Sequence, residues 1–235
     1  MKALFHRALI VASFALCAPL CRADDGTMAQ PPNEIRVGMY AVFYHVTAQD
    51  LSGPYVIPGL NASLKNLQTP YFAYERYLPW NLSFELNLGV PPLTKTYGRG
   101  PATVGSVPYN GQELITARWL APSALLYYTF LDEQRFRLRP YIGVGLTYVN
   151  FYDRQTTAAG NAVSGGPTSV SLPSSIGPTV SAGLSYKIAR NWGVYASYSM
   201  ARVRSDLTTD TAGVYRSAHI SFAPGALVIS AGYSF

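Results

Sequence analysis

The carboxy-terminal stretch 225–235 constrains this chain more than any other. Read with a period of two, Leu227, Ile229, Ala231, Tyr233 and Phe235 fall on one side, and Ala226, Val228, Ser230, Gly232 and Ser234 on the other. Successive side chains of a strand point to opposite faces, so one face here is large and apolar and the other small or polar. A strand of that kind suits a wall with lipid outside and a narrow interior within.

The pattern recurs, and eight alternating segments are predicted. They span about 34–46, 67–78, 82–90, 123–130, 137–152, 175–188, 192–205 and 214–235. The third is the cleanest: Leu82, Phe84, Leu86, Leu88 and Val90 alternate with Ser83, Glu85, Asn87 and Gly89. Links after the second, fourth and sixth segments are short, and Pro79-Trp80-Asn81 and Ala189-Arg190-Asn191 read as tight turns. The other links are long and rich in Gly, Pro, Ser and Thr. Short periplasmic turns, long outer loops and an even strand count describe an eight-stranded antiparallel transmembrane β-barrel of the outer-membrane type, with both termini in the periplasm. No other all-β arrangement lets such a chain sit in a bilayer, because each backbone polar group must pair internally.

The amino-terminus agrees with export. Lys2 and Arg7 precede an apolar run from Ala8 to Leu20, and Cys21-Arg22-Ala23 offers a small-x-small cleavage site. The expected organisation is a cleaved signal peptide over 1–23 and a single barrel domain over 24–235. Cleavage would remove Cys17 and Cys21, both cysteines of the chain, and with them cysteine-based metal or redox chemistry. It would also take three positive charges (Lys2, Arg7, Arg22) from the formal net +6, leaving +3. No Lys/Arg cluster remains, so nucleic acid is not an expected partner.

The inward faces predict what fills the barrel. Arg36, Glu75, Glu85, Arg137, Arg139 and Lys187 all fall near periplasmic strand ends and read as one ion-pair layer, two carboxylates facing four bases, closing the floor. Higher up, Tyr40, Tyr44 and Tyr141 face inward, with Trp119 at the end of the second outer loop and Leu51, Tyr55 and Ile57 in the first. Those seven residues are expected to line an apolar and aromatic upper cavity of the kind that holds a small hydrophobic ligand. Pro70, Pro122, Pro140, Pro178 and Pro224 each remove a ladder donor from the wall. Bulges there would open a lateral exit into the membrane.

Several segments carry a family resemblance. The run from Arg139 to Tyr148, RPYIGVGLTY, followed by Phe151-Tyr152-Asp153, resembles the fifth-strand signature of the OmpW family. Arg190-Asn191-Trp192 resembles its last periplasmic turn, Ser230-Ala231-Gly232-Tyr233-Ser234-Phe235 its closing segment, and Leu120-Ala121-Pro122-Ser123 the start of its fourth strand. The resemblance covers nearly the whole mature chain. It implies an eight-stranded barrel with a narrow, largely apolar channel, passage of small hydrophobic molecules, and in some members receptor roles for bacteriocins or phages. The terminal Phe235, with Tyr233, resembles the signal read by the barrel-assembly machinery.

His219-Ile220-Ser221 resembles the His-x-Ser pair of lipid A deacylases, but no acid follows Asp210 to orient the histidine, so no catalytic residues are expected. No cluster of His, Asp or Glu suggests a metal, and no cofactor is expected. The competing reading is a barrel whose outer loops bind a surface partner while nothing crosses. Lys95, Tyr97, Arg99 and Tyr109 in the second outer loop could meet lipopolysaccharide phosphates or a phage. Outer-membrane lipids and lipopolysaccharide are expected neighbours in either case.

Overall fold

The computed structural model describes residues 31–48, 51–56, 59–104, 106–133 and 135–235. The expected signal segment 1–23 and Ile57 lie outside the described residues, as do the side chains of His45 and of residues 219–223.

Eight strands form the wall: β1 Asn33–Ala48, β2 Leu67–Tyr77, β3 Leu82–Gly89, β4 Ser123–Thr129, β5 Leu138–Thr156, β6 Ser175–Ala189, β7 Trp192–Ala201 and β8 Val214–Ser234. Each pairs antiparallel with the next. The barrel closes where β8 returns to β1, in unbroken register from Glu34↔Ser234 to Ala48↔Ile220. Closure removes the sheet edges, which a bilayer would not tolerate.

The period-two pattern decides which face meets lipid. Ile35, Val37, Met39, Leu86, Val144, Leu146 and Ile229 all point outward and are exposed. A continuous apolar belt of this kind is a hazard in water and the required surface in hydrocarbon. At its periplasmic rim Trp192 packs on Tyr233 and Tyr128 on Phe130, both with ring centroids 5.0 Å apart. Paired rings at this level form an aromatic girdle. The β2–β3 turn there is tight because Trp80 and Asn81 both take positive φ, 64° and 59°. That matches the twist of a two-residue hairpin.

The long outer connections fold as sheet, which their composition had not predicted. Strands Asn61–Leu64, Leu93–Arg99 and Glu113–Leu120 pair side by side and continue onto the upper part of β5. The seventh segment, expected over 192–205, breaks at Arg202. A separate strand, Val203–Thr211, then runs along the upper half of β8, with Thr168–Ser171 on its far edge. The seven-residue helix α1 Ala158–Ser164 is capped by Thr157, whose hydroxyl accepts from Gly160 N. The result is a barrel whose wall rises well beyond its apolar belt.

Candidate functional site

The floor is built around one guanidinium. Arg36, on the inner face of β1, is only 4% exposed. Its Nε lies 2.6 Å from Glu34 Oε1, its Nη1 3.1 Å from Glu85 Oε2, and its Nη2 pairs with Glu75. The ring of Tyr195 lies 3.5 Å from the guanidinium carbon. Buried carboxylates need further donors, and the lumen supplies them. Glu34 accepts from Tyr195 Oη at 2.6 Å, Ser234 Oγ at 2.9 Å and Tyr77 Oη at 3.1 Å. Glu85 accepts from Asn87 Nδ2 at 2.8 Å and Tyr71 Oη at 3.0 Å.

A second cluster lies nearer the periplasmic turns. Glu133, from the β4–β5 turn, accepts from Arg139 Nη1 at 3.1 Å and pairs with Lys187. A small polar cavity of about 30 Å3 is lined by members of both clusters. The expected single layer is therefore two clusters: three carboxylates on Arg36, and two bases on Glu133. Arg137 is exposed and joins no ion pair among the described residues. It nevertheless lines the polar cavity of the floor, at its exposed periplasmic end.

Above the floor the lumen turns apolar. A cavity of about 130 Å3 is lined by Tyr40, Val42, Tyr44, Trp119, Val149 and Phe151, among others, and bottoms out on Tyr71, Leu125 and Tyr127. Trp119 is fixed by donating its Nε1 hydrogen to Thr94 Oγ1 at 2.9 Å. A second cavity, also about 130 Å3, lies toward the outer loops and includes Leu51, Tyr55, Val56, Leu60 and Tyr109 in its lining. Ala62, Thr96, Ile115 and Leu207 line both, so the two are stacked with common walls. Tyr55 is 90% exposed and stands on the outer rim. In the loop between Leu93–Arg99 and Glu113–Leu120, burial pushes the Tyr109 phenol above its usual range.

The structure therefore brings Tyr40, Tyr44 and Trp119 to the deeper cavity, and Leu51 and Tyr55 to the outer one. Tyr141 faces inward as expected but sits lower. Its ring meets Tyr127 edge-on, with centroids 5.2 Å apart, and it lines the polar cavity of the floor. Two floor residues escaped the sequence reading. Glu34 shares a strand face with Arg36, so the period of two already placed it inside. Glu133 comes from a turn, where no periodicity applies.

The wall is interrupted on one side at the level of the deeper cavity. The β2–β3 ladder ends at Tyr71↔Gly89 and the β3–β4 ladder at Asn87↔Ser123. Pairing resumes only at Leu64↔Thr96 and Leu93↔Arg118 in the outer sheet. Pro70, Pro91, Pro92 and Pro122 lie in or beside the interval, and none has an N–H to give. Single bonds bridge it: Val90 N to Pro70 O at 2.9 Å, Thr69 Oγ1 to Val90 O at 2.6 Å, and Arg118 Nη1 to Pro91 O at 3.3 Å. Pro140, Pro178 and Pro224 behave otherwise than expected. They pair in register with Leu184, Leu146 and Tyr44, with no bulge.

Comparison with known proteins places this architecture. The family model described as "OmpW family" matches residues 35–235. The chain belongs to the OmpW family. Outer membrane protein W of Vibrio cholerae is 26% identical over 155 residues, covering 66% of this chain and 68% of that protein. The Salmonella typhi protein of the same name is 28% identical over 149 residues, 63% and 67% of the two chains. The crystal structure of OprG from Pseudomonas aeruginosa superposes with a TM-score of 0.76 over 88% of this chain and 96% of that one, at 17% identity. AlkL, determined in lipid bilayers, gives 0.66 over 91% and 95%, at 21% identity. At such identities these structures show a common fold. Like its OmpW relatives, this barrel is a protein of the Gram-negative outer membrane.

Proposed function

We propose that this OmpW-family barrel admits small hydrophobic molecules from outside the cell and releases them sideways into the membrane. The observation that carries the reading is the axial change of chemistry. An apolar, aromatic cavity ends on a floor where Arg36 is locked to three buried carboxylates. A hydrophobic guest gains by leaving water for such a cavity. The same guest has no favourable path through a layer of paired ions. The interrupted ladder beside Pro70, Pro91, Pro92 and Pro122 supports the lateral step, because few backbone bonds must part there.

Tyr40, Tyr44 and Trp119 would line the guest, with Leu51 and Tyr55 at the outer approach. Arg36, Glu34, Glu75 and Glu85 would hold the floor shut. Tyr233 and Phe235, which lie exposed on the lipid face of β8, would carry the assembly signal, and residues 1–23 would be removed on export. The test is uptake of a small apolar solute by liposomes holding the refolded protein. Tyr44→Asp, which places a charge in the cavity, should abolish the uptake while the fold survives. Uptake unchanged by that variant would mean that guests do not pass this way.

A second reading, surface binding without transport, draws support from the outer sheet. Strands Leu93–Arg99 and Glu113–Leu120 hold Lys95, paired with Glu113 at 2.8 Å, and Tyr97 on an outer platform that would meet phosphate-bearing lipid or a phage. Wild-type liposomes that take up no apolar solute would favour it.

A further inference from the structure

We infer that the outer cavity is a binding site for an amphipathic anion, a small carboxylate with an apolar tail, gripped at its head by Arg216. From the proposed function this takes only that the cavity admits a guest. Among the described residues lining the two stacked cavities, Arg216 alone carries a charge. It projects from the upper part of β8, opposite Thr209 of the neighbouring strand. Its described contacts are all long and all to neutral acceptors. Nε donates to Pro54 O at 3.3 Å, and Nη1 to Ser164 O and Thr211 Oγ1, both at 3.4 Å.

No described ion pair includes Arg216, although the other lumenal guanidiniums, Arg36 and Arg139, both have carboxylates. A half-buried cation in a mostly apolar cavity is poorly compensated by two carbonyls and a hydroxyl at such distances. An anion entering the cavity would complete it. The planar guanidinium fork matches the two oxygens of a carboxylate, a geometry that a lysine ammonium cannot copy. Thr168 and Thr209 line the same cavity, their hydroxyls donating to Gly166 O at 3.0 Å and Arg216 O at 3.4 Å. The rest of the wall is suited to the tail: Leu51, Val56, Leu60, Val163 and Val170 surround the space, and Leu207 leads into the deeper cavity.

The first outer loop packs closely on this part of β8. Ser52 bridges to Ser217, and a Cβ at Gly53 would lie 2.8 Å from Tyr215 O, 3.1 Å from Arg216 Cα and 3.2 Å from Arg216 Cγ. Gly53 also sits at φ 139°, a conformation that L side chains rarely adopt. That packing would serve a purely structural staple equally well, so the experiment must read the charge rather than the fold.

The test is titration of the refolded protein in nanodiscs with octanoate and, separately, with 1-octanol, following the arginine Nε–H signals by NMR. The Arg216 signal, assigned by its loss in Arg216→Lys, should shift saturably with octanoate and not with octanol. Arg216→Gln, checked for a folded barrel by its gel mobility, should weaken octanoate binding at least tenfold and leave octanol binding unchanged. A silent Arg216 signal, an equal response to both compounds, or wild-type octanoate binding by Arg216→Gln would overturn the inference. Octanol flux separates the two proposals. Octanoate bound at Arg216 without octanol flux sinks transport and leaves this site standing, and octanol flux with a silent Arg216 does the reverse.

Discussion

Replacing Arg36 with Met tests the floor most severely. The substitution keeps the apolar stem and deletes the cation that pairs, among the described residues, with three buried carboxylates, Glu34, Glu75 and Glu85, each no more than 3% exposed. Removing one partner of a buried ion pair costs about 3–5 kcal/mol, because the other charge is left without compensation. Here three charges are left at once, so the loss should reach the upper part of that range or exceed it. Removing a single acid is a different matter. Glu75→Gln leaves Arg36 with Glu34 and Glu85, and it relieves repulsion among the carboxylates. Its cost should stay below about 1.5 kcal/mol, the scale of an ordinary hydrogen bond. Urea unfolding in lipid vesicles, read by the gel mobility of folded and unfolded barrel, measures both. If Arg36→Met cost no more than Glu75→Gln, the cluster would be solvated in the membrane and the floor would not be the locked layer described above.

Other outcomes are expected. A Cβ at Gly143 would meet the Tyr127 ring at 2.3 Å, so Gly143→Val should destabilise the barrel by about 1–3 kcal/mol through overpacking, in the same unfolding assay. Pro70→Ala restores a backbone donor facing Val90, where the ladder is interrupted, and should slow uptake of an apolar solute, whereas Pro224→Ala, inside an unbroken register, should not. Deleting Phe235 should lower the yield of folded barrel in cells while leaving refolding of the purified chain unchanged, as an assembly signal requires. Burial raises the Tyr109 phenol in the outer loop that packs beside the outer sheet. A raised folded value contributes stability in full below the ordinary phenol range and loses it as pH rises through the folded value. Tyr109→Phe should therefore remove an alkaline loosening of the outer sheet, seen by amide exchange at high pH.

The wall was legible in the sequence because lipid enforces the period of two on every strand. From Leu82 to Gly89 each residue faces the way its alternation predicts. The outer sheet was harder to read because water lies beyond it and its outward faces need not be apolar. Thr94 is buried while Leu93 and Lys95 are exposed, an alternation without a hydrophobic signal. In Glu113–Leu120 the signal was present, since Ile115, Ala117 and Trp119 recur at period two and are all buried.

For the lumen, alternation gave the face but not the height. Tyr141 lies three residues above the start of β5, and Tyr40 seven above the start of β1. At roughly 3.3 Å per residue that separates floor from cavity. Counting from strand ends would have placed Tyr141 among the ions. Pairing could not be counted in this way. Which acid meets Arg36 depends on the stagger of neighbouring strands, and Glu133 reaches Arg139 and Lys187 from a turn.

The most direct measurement is uptake by liposomes containing the unmodified barrel of two solutes of similar size, one apolar and one polar. The account predicts entry of the apolar solute and exclusion of the polar one. Equal entry of both would contradict a closed floor, and entry of neither would contradict transport itself.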